Sequence, residues 1–259
     1  LAAVSDPMIE YLEVAAAFGR RTAEMHLALA ADSADPGFAP EPLTQADLAN
    51  ATARALAQAE RTLAALDAVV AATGSRVPPD VAVHAGVLLG ARGLLIDTIR
   101  SAAVLEPAVT KIRIHGDYRL GQVLLIEGDG YIQNIEGHLA WPAAAQREKQ
   151  SPLKDVAGMV RSFSYAAHAA LLTYPSTGPD RRAHLSGWAQ AWQRWTTSAF
   201  LRSYYATAAT SATLPQDASA RAALVGFFLV DRALRELDGE LNNRPEWIGI
   251  PVSGLLESL

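Results

Sequence analysis

The chain has 259 residues, 50% of them hydrophobic and 19% charged, with no cysteine, six histidines and a formal net charge of −5. That length supports a substantial core in one large domain or two small ones, and the composition excludes a disordered chain. The lack of cysteine excludes a disulfide scaffold, a thiolate zinc site and a cysteine nucleophile, and the acidic balance excludes the basic stripe of a nucleic-acid binder.

No two histidines have H-x-x-x-H spacing. No apolar run reaches the ~18–20 residues that cross a bilayer, and no signal peptide is legible. The expected location is therefore cytoplasmic, with neither membrane nor nucleic acid as partner. The chain opens on Leu1 rather than Met, as a fragment would.

Most of the sequence reads as helix. A first helix is expected from about Met8 to Ala31, with Pro7 near its start and Ile9, Leu12, Ala16, Met25 and Leu27 at apolar positions. Pro36, Pro40 and Pro42 make residues 34–42 a loop. Thr44 is an expected N-cap with Asp47 at the capping-box position, opening a helix to about Ala72 along Leu48, Leu56, Leu63 and Leu66. Gly74-Ser75 and Pro78-Pro79 punctuate, and a third helix is expected from about Asp80 to Leu105.

At Thr110 the pattern changes. Lys111–His115 alternates polar and apolar as a half-buried strand does, and Gln122–Ile126 and Tyr131–Ile135 read as two more strands. Between the last two, Glu127-Gly128-Asp129-Gly130 reads as a turn on its Asp-Gly pair. Helices resume over roughly 152–174, 179–211 and 217–243. The expected fold class is mainly α with a small antiparallel β hairpin region.

The β region holds the strongest chemical motif, His115-Gly116-Asp117-Tyr118-Arg119-Leu120-Gly121-Gln122. Asp117 and Gln122 stand five residues apart, the spacing between base and metal-binding amide in the kinase loop H-R-D-x-x-x-x-N. Phosphoryl transfer is mostly positioning and charge stabilisation. A carboxylate at 117 can orient an acceptor hydroxyl and take its proton, and an amide oxygen at 122 can help hold Mg²⁺. Twelve residues after Gln122 comes Asn134-Ile135-Glu136-Gly137, where a kinase carries its Asp-Phe-Gly metal motif. Taken singly, Gly-Asp is also a common turn pair whose carboxylate bonds nearby amides.

Longer stretches resemble the bacterial maltokinases, including maltokinase domains fused to trehalose synthase. They are Gly19–Ala30, Phe38–Leu43, His115–Tyr118 through Leu124, Lys149–Phe163 with its Ser151-Pro152-Leu153-Lys154-Asp155-Val156-Ala157-Gly158-Met159, and Glu240-Leu241-Asn242-Asn243-Arg244-Pro245. The resemblance implies a protein-kinase-like (aminoglycoside-phosphotransferase-like) fold, with the whole of 1–259 as its C-lobe and the catalytic loop and metal motif at 111–137. It implies phosphorylation of maltose to maltose 1-phosphate with ATP and Mg²⁺. Asp117 would be the catalytic base, with Gln122, Asn134 and Glu136 at the metal. His115, Arg119, Glu236 and Glu240 would lie toward the sugar, and Asp155 would support the loop.

Departures from that family set the alternatives. Lys111 is the first lysine of the chain, so no strand lysine or phosphate-covering loop precedes Asp117. An N-terminal cap and N-lobe are therefore expected to be absent, and the chain alone is expected to be inactive. The family's D-F-E-G-E-P becomes Asn134-Ile135-Glu136-Gly137-His138-Leu139, its usual catalytic-loop His becomes Arg119, and two tyrosines of its last helix become Arg235 and Gly239. One alternative is a degenerate pseudokinase or scaffold associated with trehalose synthase or a missing N-lobe. Another is a glucosamine or aminoglycoside kinase. Trp188, Trp192 and Trp195 share one helix face, read as core although such faces also stack on sugars. His26, His84, His168 and His184 read as core or surface residues, and Arg20-Arg21 and Arg181-Arg182 as solvated pairs.

Overall fold

A computed structural model of the protein describes residues 2–31, 33–72, 74, 76–105, 108–135, 147–174 and 179–259. Most of these are helical, as expected, and the described strands form two antiparallel two-stranded pairs, of which the β3–β4 hairpin is the one the periodicity predicts. The chain divides into two compact units, Leu1–Pro42 with Val109–Pro215 and Leu43–Ala108 with Gln216–Leu259.

The first unit contains α1 (Ala2–Leu29), β1 (Glu41–Pro42), β2 (Thr110–Lys111), β3 (Val123–Ile126), β4 (Asp129–Ile132), α5 (Leu153–Thr173) and α6 (Pro179–Thr207). Helices α1 and α6 approach so closely at Gly19 that a Cβ there would run into the Phe200 carbonyl. Phe163, Phe200 and Tyr204 are buried beside that crossing, with ring centroids 5.7 Å apart for Phe163–Phe200 and 6.3 Å for Phe200–Tyr204. β1 lies in the segment expected to be loop. It pairs with β2, Glu41 opposite Lys111 and Pro42 opposite Thr110.

The strand expected over 111–115 shortens to 110–111, followed by a bridge in which Ile112 and Gln150 exchange backbone bonds of 3.0 and 2.8 Å. Beyond it the backbone leaves the ladder, because the His115 N–H turns to the Asp155 carboxylate. The β3–β4 hairpin runs from Val123↔Ile132 to Ile126↔Asp129. Its turn is Glu127-Gly128, at φ 50° and 81°, two residues ahead of the Asp-Gly pair. Asp129 and Gly130 belong to β4 instead. Arg21 on α1 binds the Asp129 carboxylate, and Phe18 packs so near Gly130 that an added Cβ would lie 2.8 Å from its ring.

The second unit contains α2 (Gln45–Ala71), α3 (Pro79–Gly90), α4 (Arg92–Ser101), α7 (Ala218–Asn243) and α8 (Gly249–Leu256). The capping box at Thr44 forms as expected: the Thr44 hydroxyl accepts from Asp47 N at 3.1 Å, and Thr44 N donates to Asp47 Oδ2 at 2.8 Å. α2 buries Leu48, Leu63 and Leu66, and α7 buries Leu224, Val230, Leu234 and Leu237. The single helix expected over 80–105 is two, bent by 59° at a break on Ala91. Gly90 and Gly93 flank the break and weaken the helix there. α8 lies beyond the last expected helix, and its Val252 and Leu255 are fully buried. No single helix among the described residues is long and apolar enough to cross a membrane.

Candidate phosphotransfer loop

The loop is held from below by one carboxylate. Asp155 lies in the first turn of α5 and is 1% exposed. Its Oδ2 accepts from His115 N at 2.8 Å and its Oδ1 from Gly116 N at 2.9 Å. Gly116 has φ 83°, a conformation glycine adopts without strain, and this lets two successive amides aim at one side chain. His26 Nε2, on α1, donates to Asp155 Oδ2 at 3.1 Å, and His26 Nδ1 lies 2.9 Å from the Tyr204 hydroxyl of α6. Burial alone would raise the Asp155 carboxyl. The His26 bond, the neighbouring imidazoles and the Gly116 amide outweigh burial and hold it below the ordinary carboxylate range.

Two further contacts fix the residues after Asp117. Tyr118 is buried with its hydroxyl 2.8 Å from Thr22 Oγ1, and burial raises the phenol well above its ordinary value. Its carbonyl lies against α5 at Gly158, where a Cβ would stand 2.5 Å from the oxygen. Leu120 N donates to Ser162 Oγ at 2.9 Å. Asp117 itself is 8% exposed, with Oδ2 3.5 Å from Arg119 Nε.

Gln122 and Asn134, expected at a metal, do come together. Gln122 closes a short turn onto Arg119 O at 2.8 Å, and its carbonyl accepts from Gln133 N at 2.9 Å, adding a rung beyond the β3–β4 ladder. This brings Asn134 Nδ2 within 2.7 Å of Gln122 Oε1. The pair does not fit the expected Mg²⁺. That ion is held by oxygens near ~2.1 Å, normally including carboxylate, whereas here one neutral amide spends its N–H on the oxygen of the other. Among the described residues no three His, Asp or Glu side chains converge as a metal site. Glu136 lies outside the described residues.

The remaining expected residues are placed as follows. His115, expected toward the sugar, is 1% exposed and its Nε2 donates to Gln133 O at 2.8 Å. Glu236 and Glu240 lie on α7 in the second unit, in ion pairs with Arg232 at 3.4 Å and Arg244 at 2.7 Å. Trp188 and Trp192 line an open apolar groove of about 500 Å³ with Met8, Tyr11 and Leu171, and Trp188 and Trp195 are 43% and 50% exposed rather than the core residues expected. Sequence reasoning missed His26, Tyr204 and Ser162. The available signal for His26 was its place inside the Gly19–Ala30 stretch that carries the family resemblance.

No family model matches the sequence. Over 252 residues the chain is 26% identical to a glucosamine kinase of Streptacidiphilus jiangxiensis, a match covering 97% of the chain and 50% of that relative. Among solved structures it is similar to glucosamine kinase in a first crystal form (TM-score 0.77, 23% identity, 97% of the chain and 52% of that structure). It is equally similar to glucosamine kinase in complex with glucosamine, ADP and inorganic phosphate (TM-score 0.76, 24% identity, 97% and 53%). The chain has a sugar-kinase fold, and it spans about half the length of the relatives it matches. The likeness is to glucosamine kinases rather than to maltokinases in particular.

Proposed function

We propose that this chain supplies the catalytic-loop half of an ATP-dependent sugar kinase, and that its acceptor is an amino sugar of the glucosamine type rather than maltose. The observation that carries the reading is the end-to-end match of the chain to glucosamine kinase. The Asp155-clamped loop supports it, because it fixes the backbone on which the catalytic carboxylate would stand. In this reading the acceptor hydroxyl donates its proton to Asp117 as its oxygen bonds to the γ-phosphorus of ATP. The bond to the β–γ bridging oxygen breaks, leaving ADP and a sugar phosphate. Arg119 Nε stands 3.5 Å from Asp117 Oδ2, close enough to orient that carboxylate. Glu236 and Glu240, expected at the acceptor, are tied on α7 to Arg232 and Arg244 and are not assigned to it. We place 1–259 as a kinase-like C-lobe and assign the nucleotide-covering lobe to the part of the relatives this chain does not span. The chain alone is accordingly expected to turn over little sugar.

The test uses the full-length product of the reading frame that encodes this chain. Glucosamine, maltose and an aminoglycoside are compared for calorimetric binding and for ADP release. Glucosamine should bind and be phosphorylated in preference to both others. Asp117→Asn should lower turnover about a hundredfold or more while glucosamine binding persists. Preferred turnover of maltose would overturn the acceptor assignment, and a protein that binds neither sugar nor nucleotide would overturn the kinase reading.

A further inference from the structure

The amide pair at the end of the loop carries a consequence for metal use. Gln122 is 8% exposed, and its side-chain oxygen is occupied by the Asn134 N–H at 2.7 Å. The Asp117 carboxylate of the same loop faces the Arg119 guanidinium. A cation entering between Gln122 and Asn134 would have to break a part-buried hydrogen bond between the buried Gln122 and the exposed Asn134, turn the Asn134 amide over and be held by neutral oxygens. Each of these steps opposes binding of a hard divalent ion, whose attraction comes largely from ligand charge. Residue 134 has φ 56°, a left-handed conformation that Asn and Asp adopt more readily than other side chains. A carboxylate at 134 therefore needs no change of backbone.

We infer that the described residues of this cleft bind no divalent cation, that the Gln122–Asn134 amide pair closes the position, and that residue 134 is the switch that would open it. The inference rests on reading the cleft as a sugar-kinase cleft. Ligand binding is then independent of Mg²⁺, and phosphoryl transfer is slow because no cation neutralises the phosphates at this position. Asn134→Asp removes the donor, frees the Gln122 oxygen and supplies the missing charge. Gln122→Glu does the same from the other side of the pair.

The probe is Mn²⁺ alone, added to isotopically labelled protein, with paramagnetic broadening of the side-chain amide signals as readout. In the wild-type protein the Gln122 and Asn134 amide signals should stay sharp on addition of Mn²⁺. In Asn134→Asp the Gln122 amide signals should broaden, and in Gln122→Glu those of Asn134 should. Excess Mg²⁺ should reverse both, with Mn²⁺ affinity at least about tenfold above wild type. Equal broadening in the wild-type protein would overturn the inference. So would sharp signals in whichever variant is folded, since two variants approach the pair from opposite sides. Glucosamine binding is measured separately in EDTA. Its absence would sink the functional reading, and the broadening pattern decides the cation question by itself.

Discussion

Asp155→Asn tests the clamp beneath the loop. The carboxylate accepts from two backbone amides at 2.8 and 2.9 Å and from the His26 imidazole at 3.1 Å, the His115 and His26 bonds buried and the Gly116 bond part-buried. An asparagine keeps one acceptor and turns an NH₂ against a donor. At least one N–H is then left unpaired, losing a charge-assisted bond of about 1.5–3 kcal/mol and carrying a desolvation cost of about 1–3 kcal/mol. The expected destabilisation is about 3–5 kcal/mol, in the range seen when one partner of a buried charged pair is removed. The assay is urea unfolding followed by tryptophan fluorescence, with amide hydrogen exchange at His115 and Gly116 as the local readout. The two amides should lose protection by at least as much as the unit loses stability. Because the carboxyl is held below its ordinary value in the folded protein, its contribution is present above the unfolded-state value and fades as pH falls through the folded one. Wild type and variant should therefore converge in acid. A variant within about 0.5 kcal/mol of wild type at neutral pH, with protection intact, would refute the claim that Asp155 holds the loop.

Three other outcomes are expected. Arg21 holds the Asp129 carboxyl down to about 2, so in Arg21→Ala that carboxyl should titrate closer to the ordinary ~3.9, read by NMR. The stability it lends is present above about pH 4 and lost as pH falls toward about 2, so the Arg21→Ala penalty should shrink across that window. Gly158→Ala sets a methyl 2.5 Å from Tyr118 O and should cost about 1–3 kcal/mol in denaturant unfolding, with exchange at Leu120 increased. Thr44→Ala removes half of a capping box and should cost about 1 kcal/mol, measured as the shift of the second unit's unfolding midpoint.

What the sequence made legible was local. The Thr44–Asp47 box is a four-residue signal and formed as written. The change of period at Thr110 marked the β region, because alternation over a few residues is itself the cause of a half-buried strand. The break at Ala91 was lost for a related reason: glycine and proline signal a boundary but not how neighbouring helices will fill it. The hairpin turn moved to Glu127-Gly128 because Asp129 is fixed by Arg21 and Gly130 by Phe18, both on a helix more than a hundred residues earlier. The role of His26, read only as a core or surface residue, was missed for the same reason, since its partner Asp155 is 129 residues away. The expected site residues divide in the same manner. Gln122 and Asn134 meet because a short hairpin joins them, whereas Glu236 and Glu240 belong to the other unit and are tied to their own helix neighbours.

The loop separates two requirements that phosphoryl transfer usually combines. Positioning is supplied by buried, mutually dependent contacts: Asp155 draws in the His115 and Gly116 amides, Gly116 permits the turn, Gly158 admits the Tyr118 carbonyl, and Ser162 receives Leu120. Each involves a group that would be costly to leave unpaired or a space that a larger residue would fill, so the geometry at Asp117 is held whether or not a ligand is present. Charge stabilisation has no such support. The Asn134 N–H occupies the Gln122 side-chain oxygen, and the Asp117 carboxylate faces an arginine. In the proposed reading, a site that fixes its base yet spends the Gln122 side-chain oxygen on an internal hydrogen bond is preorganised for recognition ahead of turnover. For that reason a single carboxylate at 134, which leaves every positioning contact untouched, is the informative change to make.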